Sequence, residues 1–73
     1  MKIVANDYKP NEVIKMLREY TGRTQEELAK DLKLTRNAIQ KFEYGTNNYT
    51  FETLLKIAKQ HGFKITIEDD TKK

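Results

Sequence analysis

The chain has 73 residues with a net charge of +3 and no cysteine. That length allows one domain at most, burying about 60% of its unfolded surface. The missing cysteines exclude disulfides and thiolate metal sites and fit a reducing compartment, while no segment approaches the ~18 apolar residues of a membrane span.

The opening segment MKIVANDYKP lacks a long apolar run, so no signal peptide is expected, and a cytoplasmic location is. Ile3 and Val4 suggest a short strand over Met1 to Ala5. Pro10 fits a helix start, where its missing N–H costs nothing. Val13, Ile14, Leu17 and Tyr20 recur at helical spacing and predict a first helix over Asn11 to Tyr20, stopped by Gly22. Thr24 with Glu27 three residues on is a capping box. It opens a second helix with Leu28, Ala29 and Leu32 inward. Thr35 is a second N-cap, and Gly45 ends the third helix. The fourth runs from Thr50 to about His61, with Phe51, Leu54, Leu55 and Ala58 on one side and Gly62 as C-cap. Phe63 to Glu68 then alternates apolar and polar residues, a strand pattern. A lone strand needs a partner: Ile3-Val4 in the same chain, or a copy of itself in a second chain.

The expected architecture is therefore mainly all-α, four to five short helices and a short C-terminal β-strand. One domain is expected over residues 1–68, with its core in 11–62 and the strand in 63–68. Residues 69–73 are read as a frayed polar tail.

The third helix carries the most informative pattern. Placed on a wheel of about 100° per residue with Arg36 at zero, Gln40, Tyr44, Asn37 and Lys41 fall within about 140°. Thr35, Ala38, Ile39 and Phe42 take the opposite side. Arg can bond guanine O6 and N7 in a fork, and Asn or Gln can bond adenine N6 and N7 in the same way. Base-reading side chains lie near the start of a recognition helix, where Arg36 and Asn37 sit. A merely solvated face could carry the same residues, so the helix alone leaves both readings open. From Lys33 to Asn48 three basic residues, Lys33, Arg36 and Lys41, face one acidic residue, Glu43. Glu43 lies at about 340° on the wheel, at the edge of the core side. A carboxylate turned inward needs a cation, and Arg18 on the first helix is a candidate.

The stretch TQEELAKDLKLTRNAIQKFEYG, with VIKMLREYTG before it and TFETLLKIAKQHG after it, resembles the helix-turn-helix of the phage repressor and Cro-like (XRE) family. The match covers roughly residues 11 to 62 and turns on Thr-Gln, Leu-Ala, a Thr-opened third helix with Ile inside, and Glu-x-Gly at its end. The resemblance implies the lambda-repressor-like DNA-binding fold, with the third helix in the major groove and the second across the backbone. It implies base reading by Arg36, Asn37, Gln40 and Lys41. It implies phosphate contacts from Gln25, Lys33, Thr35, Tyr44, Asn47 and Asn48, and a structural ion pair between Arg18 and Glu43. The implied partners are double-stranded DNA and a second copy of the chain. Two departures stand out. The turn position usually held by glycine is Lys33, and the last helix of many members gives way to the 63–68 strand. A strand-mediated dimer burying Ile65 and Ile67 follows as a hypothesis.

Other chemistry finds little here. His61 is the one histidine, placed where a cation suits a helix C-terminus, and a metal or catalytic role lacks companion residues. The chain has no serine or cysteine nucleophile, and its three glycines are isolated. No cofactor and no enzymatic activity is expected. The expected function is sequence-specific DNA binding by a transcriptional regulator, most simply a repressor. The alternative is a protein-interaction module or antitoxin that binds a toxin or co-regulator as well as its own promoter.

Overall fold

A computed structural model describes residues 1–70; residues 71–73 of the polar tail lie outside it. A 3-10 turn over Ala5–Asp7 precedes four helices: α1 Pro10–Thr21, α2 Gln25–Leu32, α3 Arg36–Tyr44 and α4 Phe51–His61.

Each helix is framed by local signals. Thr24, Thr35 and Thr50 accept from the backbone N–H of Glu27, Ala38 and Thr53, so three helices begin on a threonine cap. At α2 the box is complete, because Thr24 N–H donates to Glu27 Oε1 at 2.9 Å. Gly22, Gly45 and Gly62 end α1, α3 and α4 in the left-handed region.

The exception is Lys33, which ends α2 at φ 58° as the only non-glycine residue of positive φ among those described. A side chain there crowds the backbone by about 1–2 kcal/mol. The turn is closed regardless by Leu34 N–H donating to Ala29 O at 2.8 Å and Lys33 N–H to Lys30 O at 3.2 Å. Leu34 therefore serves through its backbone. Its side chain is 40% exposed and does not plug the corner into the core.

The core is shared by all four helices: Val13, Ile14 and Leu17 of α1, Leu28, Ala29 and Leu32 of α2, Ile39 of α3, Ile57 of α4. Ile57 is fully buried, whereas Phe51 is 58% exposed. The expected stripe on α4 holds at Ala58, which is buried, and at Leu54, which packs against the core, but fails at Phe51 and omits Ile57. Phe51 instead lines an open apolar groove of about 270 Å³ with Ala5, Tyr8, Pro10, Val13, Tyr49 and Leu54. Tyr20, also placed inward by spacing, is exposed, with its ring tilted 52° against that of Phe63 at 5.6 Å.

Neither expected strand forms among the described residues. The Met1 to Ala5 segment runs into the 3-10 turn, and Phe63 to Glu68 has no regular structure. A strand exists only through a ladder, and Ile3-Val4 offers this tail no edge.

Two outcomes follow. Lys33→Gly relieves the turn and raises unfolding free energy by about 0.5–1 kcal/mol, read from urea melts. Glu27 is held below its ordinary carboxylate range, chiefly by the backbone N–H of Thr24. Its folded value is depressed, so its contribution is present above the unfolded value and lost as pH falls through the folded one. Glu27→Gln, which can keep the cap, should flatten the fall in melting temperature between neutral and acid pH. An unchanged pH slope would assign the acid sensitivity to other carboxylates.

Candidate nucleic-acid interface

Residues 25–44 form two short helices, α2 and α3, packed together across the Lys33–Thr35 turn, with α1 against α3 and α4 against α2. Arg36, Asn37 and Lys41 are exposed on α3, Gln40 is half-buried, and Tyr44 is 76% exposed. Ile39 is buried on the reverse side. Lys33, Thr35, Asn47 and Asn48 are exposed at the two ends of the helix. Thr35 Oγ1 is committed to the Ala38 N–H as its cap.

Only one carboxylate belongs to α3, and it is absent from this face. Glu43 is 7% exposed. Its Oε2 accepts from Arg18 Nε at 2.6 Å and its Oε1 from Arg18 Nη2 at 3.1 Å. Arg18 Nη1 also donates to Arg23 O at 2.9 Å. The hydrogen bond to Glu43 holds the guanidinium above its ordinary value, against the lowering effect of burial. Gln25 Nε2 donates to the same carboxylate at 3.1 Å. Gln25 also lines an open cleft of about 280 Å³ with Thr24, Glu26 and Arg36, where the starts of α2 and α3 meet.

The loop after α3 is held from two sides. Thr46 and Asn47 N–H groups donate to Lys41 O at 3.1 and 3.3 Å. Asn11 Nδ2 donates to Glu43 O at 3.3 Å, and its side chain passes 3.5 Å from where a Cβ on Gly45 would stand. Tyr49 hydroxyl donates to Pro10 O at 2.6 Å, its ring lies 5.8 Å from Phe42, and burial raises its phenol above the ordinary range.

Sequence reasoning missed Asn11 and Tyr49 as supports of this loop, because neither partner is near in the chain. It also missed Arg23, whose Nε and Nη2 bond Asp31 at 3.0 and 2.7 Å and tie the start of α2 to its end. His61 Nε2 sits 3.5 Å from Asp31 Oδ2, and Gln60 Nε2 donates to Asp31 O at 3.0 Å, so α4 docks on that residue. Ile65 is half-buried and Ile67 is 93% exposed on the tail. Among the described residues no group of three metal-ligating side chains occurs, and no helix is long and apolar enough to cross a membrane.

Because Glu43 carries the pair for three segments at once, Glu43→Ala should cost about 3–5 kcal/mol by leaving Arg18 charged and unpaired. A loss below about 1 kcal/mol in chemical denaturation would mean the pair is solvent-relaxed.

No curated protein matches the chain. Among solved structures, a chain of a HipA-HipB-O2-O3 complex is 31% identical, with a TM-score of 0.64, covering 97% of this chain and 99% of that one. A chain of a HipB-O1-O2 complex is 32% identical, with a TM-score of 0.62, covering 94% and 99%. The helix-turn-helix family profile matches residues 14–67, most of the chain and all of α2 and α3. By that match and by the paired helices just described, the chain belongs to the helix-turn-helix family of phage repressor and Cro-like (XRE) proteins.

Proposed function

We propose that the protein is a sequence-specific double-stranded DNA-binding regulator of transcription, acting as a homodimer in the cytoplasm, with no catalytic step of its own. One observation carries this reading. The exposed face of α3 bears Arg36, Asn37 and Lys41 and no carboxylate, because Glu43 is turned inward onto Arg18. A negatively charged surface such as the duplex meets cations, amides and the Tyr44 phenol on that face of α3, and no carboxylate of the helix.

Arg36 and Asn37 stand at the start of α3 and are assigned to base edges, with Lys41 and the half-buried Gln40 beside them. Gln25, Lys33, Thr35, Tyr44, Asn47 and Asn48 are assigned to the phosphates on either side. They fix register and carry no sequence information. The strain at Lys33 fits this role, since glycine would relieve it but would remove a charge. Dimerisation is assigned to the tail. Ile67 is almost fully exposed, and Phe63 to Glu68 has the alternation of a strand that pairs with its two-fold copy.

A second reading is supported by one finding: a similar chain stands in a complex with HipA. On that reading the protein is an antitoxin, binding a partner protein as well as its own promoter, and the tail is the surface open to such a partner.

Selection of duplexes from a random pool at near-physiological salt should enrich a palindrome with half-sites about 34 Å apart. Arg36→Ala should relax one base position by about 1–3 kcal/mol. Lys33→Ala should weaken all sequences alike and reduce the salt slope by about one. Equal losses on selected and random DNA for both variants would reject these roles. No enrichment at all would favour the protein-partner reading.

A further inference from the structure

Gln25 opens α2, and its amide is already engaged. Nε2 donates to Glu43 Oε1 at 3.1 Å. The Glu43 side chain is only 4% exposed, and the Arg18 fork fixes it from the other side. An amide against a fixed carboxylate has one favourable orientation, with nitrogen inward. Turned over, it would set its carbonyl oxygen on another acceptor with no proton between them. One N–H and the carbonyl of Gln25 are then left for the cleft shared with Thr24, Glu26 and Arg36. Arg18 adds a second tie through its bond to Arg23 O, one residue ahead of the Thr24 cap. The same ion pair thus holds the backbone before the cap and the side chain after it.

We propose that Glu43 is a positioning residue for the phosphate contact of Gln25, and that Arg18 sets the place of the Glu43 carboxylate. The proposal rests on the DNA-binding reading above. It gives the buried pair a task at the surface in addition to holding helices together. A long amide free in solvent loses rotamer freedom when it meets a phosphate, whereas one tethered in advance does not. Phosphate contacts are blind to sequence, so the effect is uniform across duplexes.

A double-mutant cycle on DNA affinity separates this from a structural role. Glu43→Gln should weaken a selected and a random duplex alike by about two- to tenfold, the worth of one hydrogen bond. In a Gln25→Ala background the same change should have almost no effect on affinity, although it still lowers the melting temperature. Equal loss in both backgrounds would overturn the proposal and leave Glu43 purely structural. If Glu43→Gln does not fold, Gln25→Asn replaces it. That variant keeps the amide on a stem one methylene shorter, which cannot hold Glu43 and meet a phosphate at once. It should lose as much affinity as Gln25→Ala, and wild-type affinity would sink the idea. Absence of any duplex binding by the wild type removes the DNA reading and this one with it. Additive losses in a wild type that binds DNA remove this one alone.

Discussion

A carboxylate taken out of water must be given its charge partner and its hydrogen bonds, or the fold does not tolerate it. Glu43 is that carboxylate, and the arrangement of α1, α2 and α3 follows from satisfying it. Arg18 meets it as a fork from α1, and Gln25 adds a third donor from α2. Arginine suits the position better than lysine would. Its planar donors bind both oxygens and still reach Arg23 O, which a point charge on a flexible stem does not do. The pair is directional where the apolar core is not. Ile14, Leu28, Ile39 and Ile57 drive the helices together, and the pair adds fixed-length ties between α1, α2 and α3.

Charge on this small molecule is therefore sorted. Asp31 engages Arg23 and lies beside His61, and Glu43 engages Arg18, so two of the acids meet cations within the fold. Arg36, Lys41 and Lys33 keep their charges outward on one side. The one carboxylate of α3 is turned away from these cations, while Glu26 of α2 stands in the cleft beside Arg36.

Much of this was legible in the sequence, and the rest was not for identifiable reasons. Thr24, Thr35 and Thr50 as starts, and Gly22, Gly45 and Gly62 as stops, are local signals acting within a turn of chain, so helix limits could be read nearly residue by residue. The wheel left Glu43 at the edge of the core side, and the family resemblance singled out Arg18 as the partner that an inward carboxylate needs. The burial of Ile57 over Phe51 was not legible, since both lie on a wide apolar stripe and the choice is made by where α2 sits. Leu34 is apolar, yet the turn uses its N–H rather than its side chain. The tail reads as a strand because alternation is local, yet strand structure depends on an edge that this single chain does not supply. For the site, the exposed face of α3 was legible. The commitment of Gln25 to Glu43, and the supports from Asn11 and Tyr49, join residues far apart in the chain, which no periodicity records.

The start and stop signals at each helix also bear on how fast the chain reaches its structure. Short helices with their own caps put most backbone bonds between near neighbours, and few loops must close before contacts form. Topologies of that kind fold in about microseconds to milliseconds. For a DNA-binding regulator, quick folding means that occupancy of a target can follow synthesis with little delay.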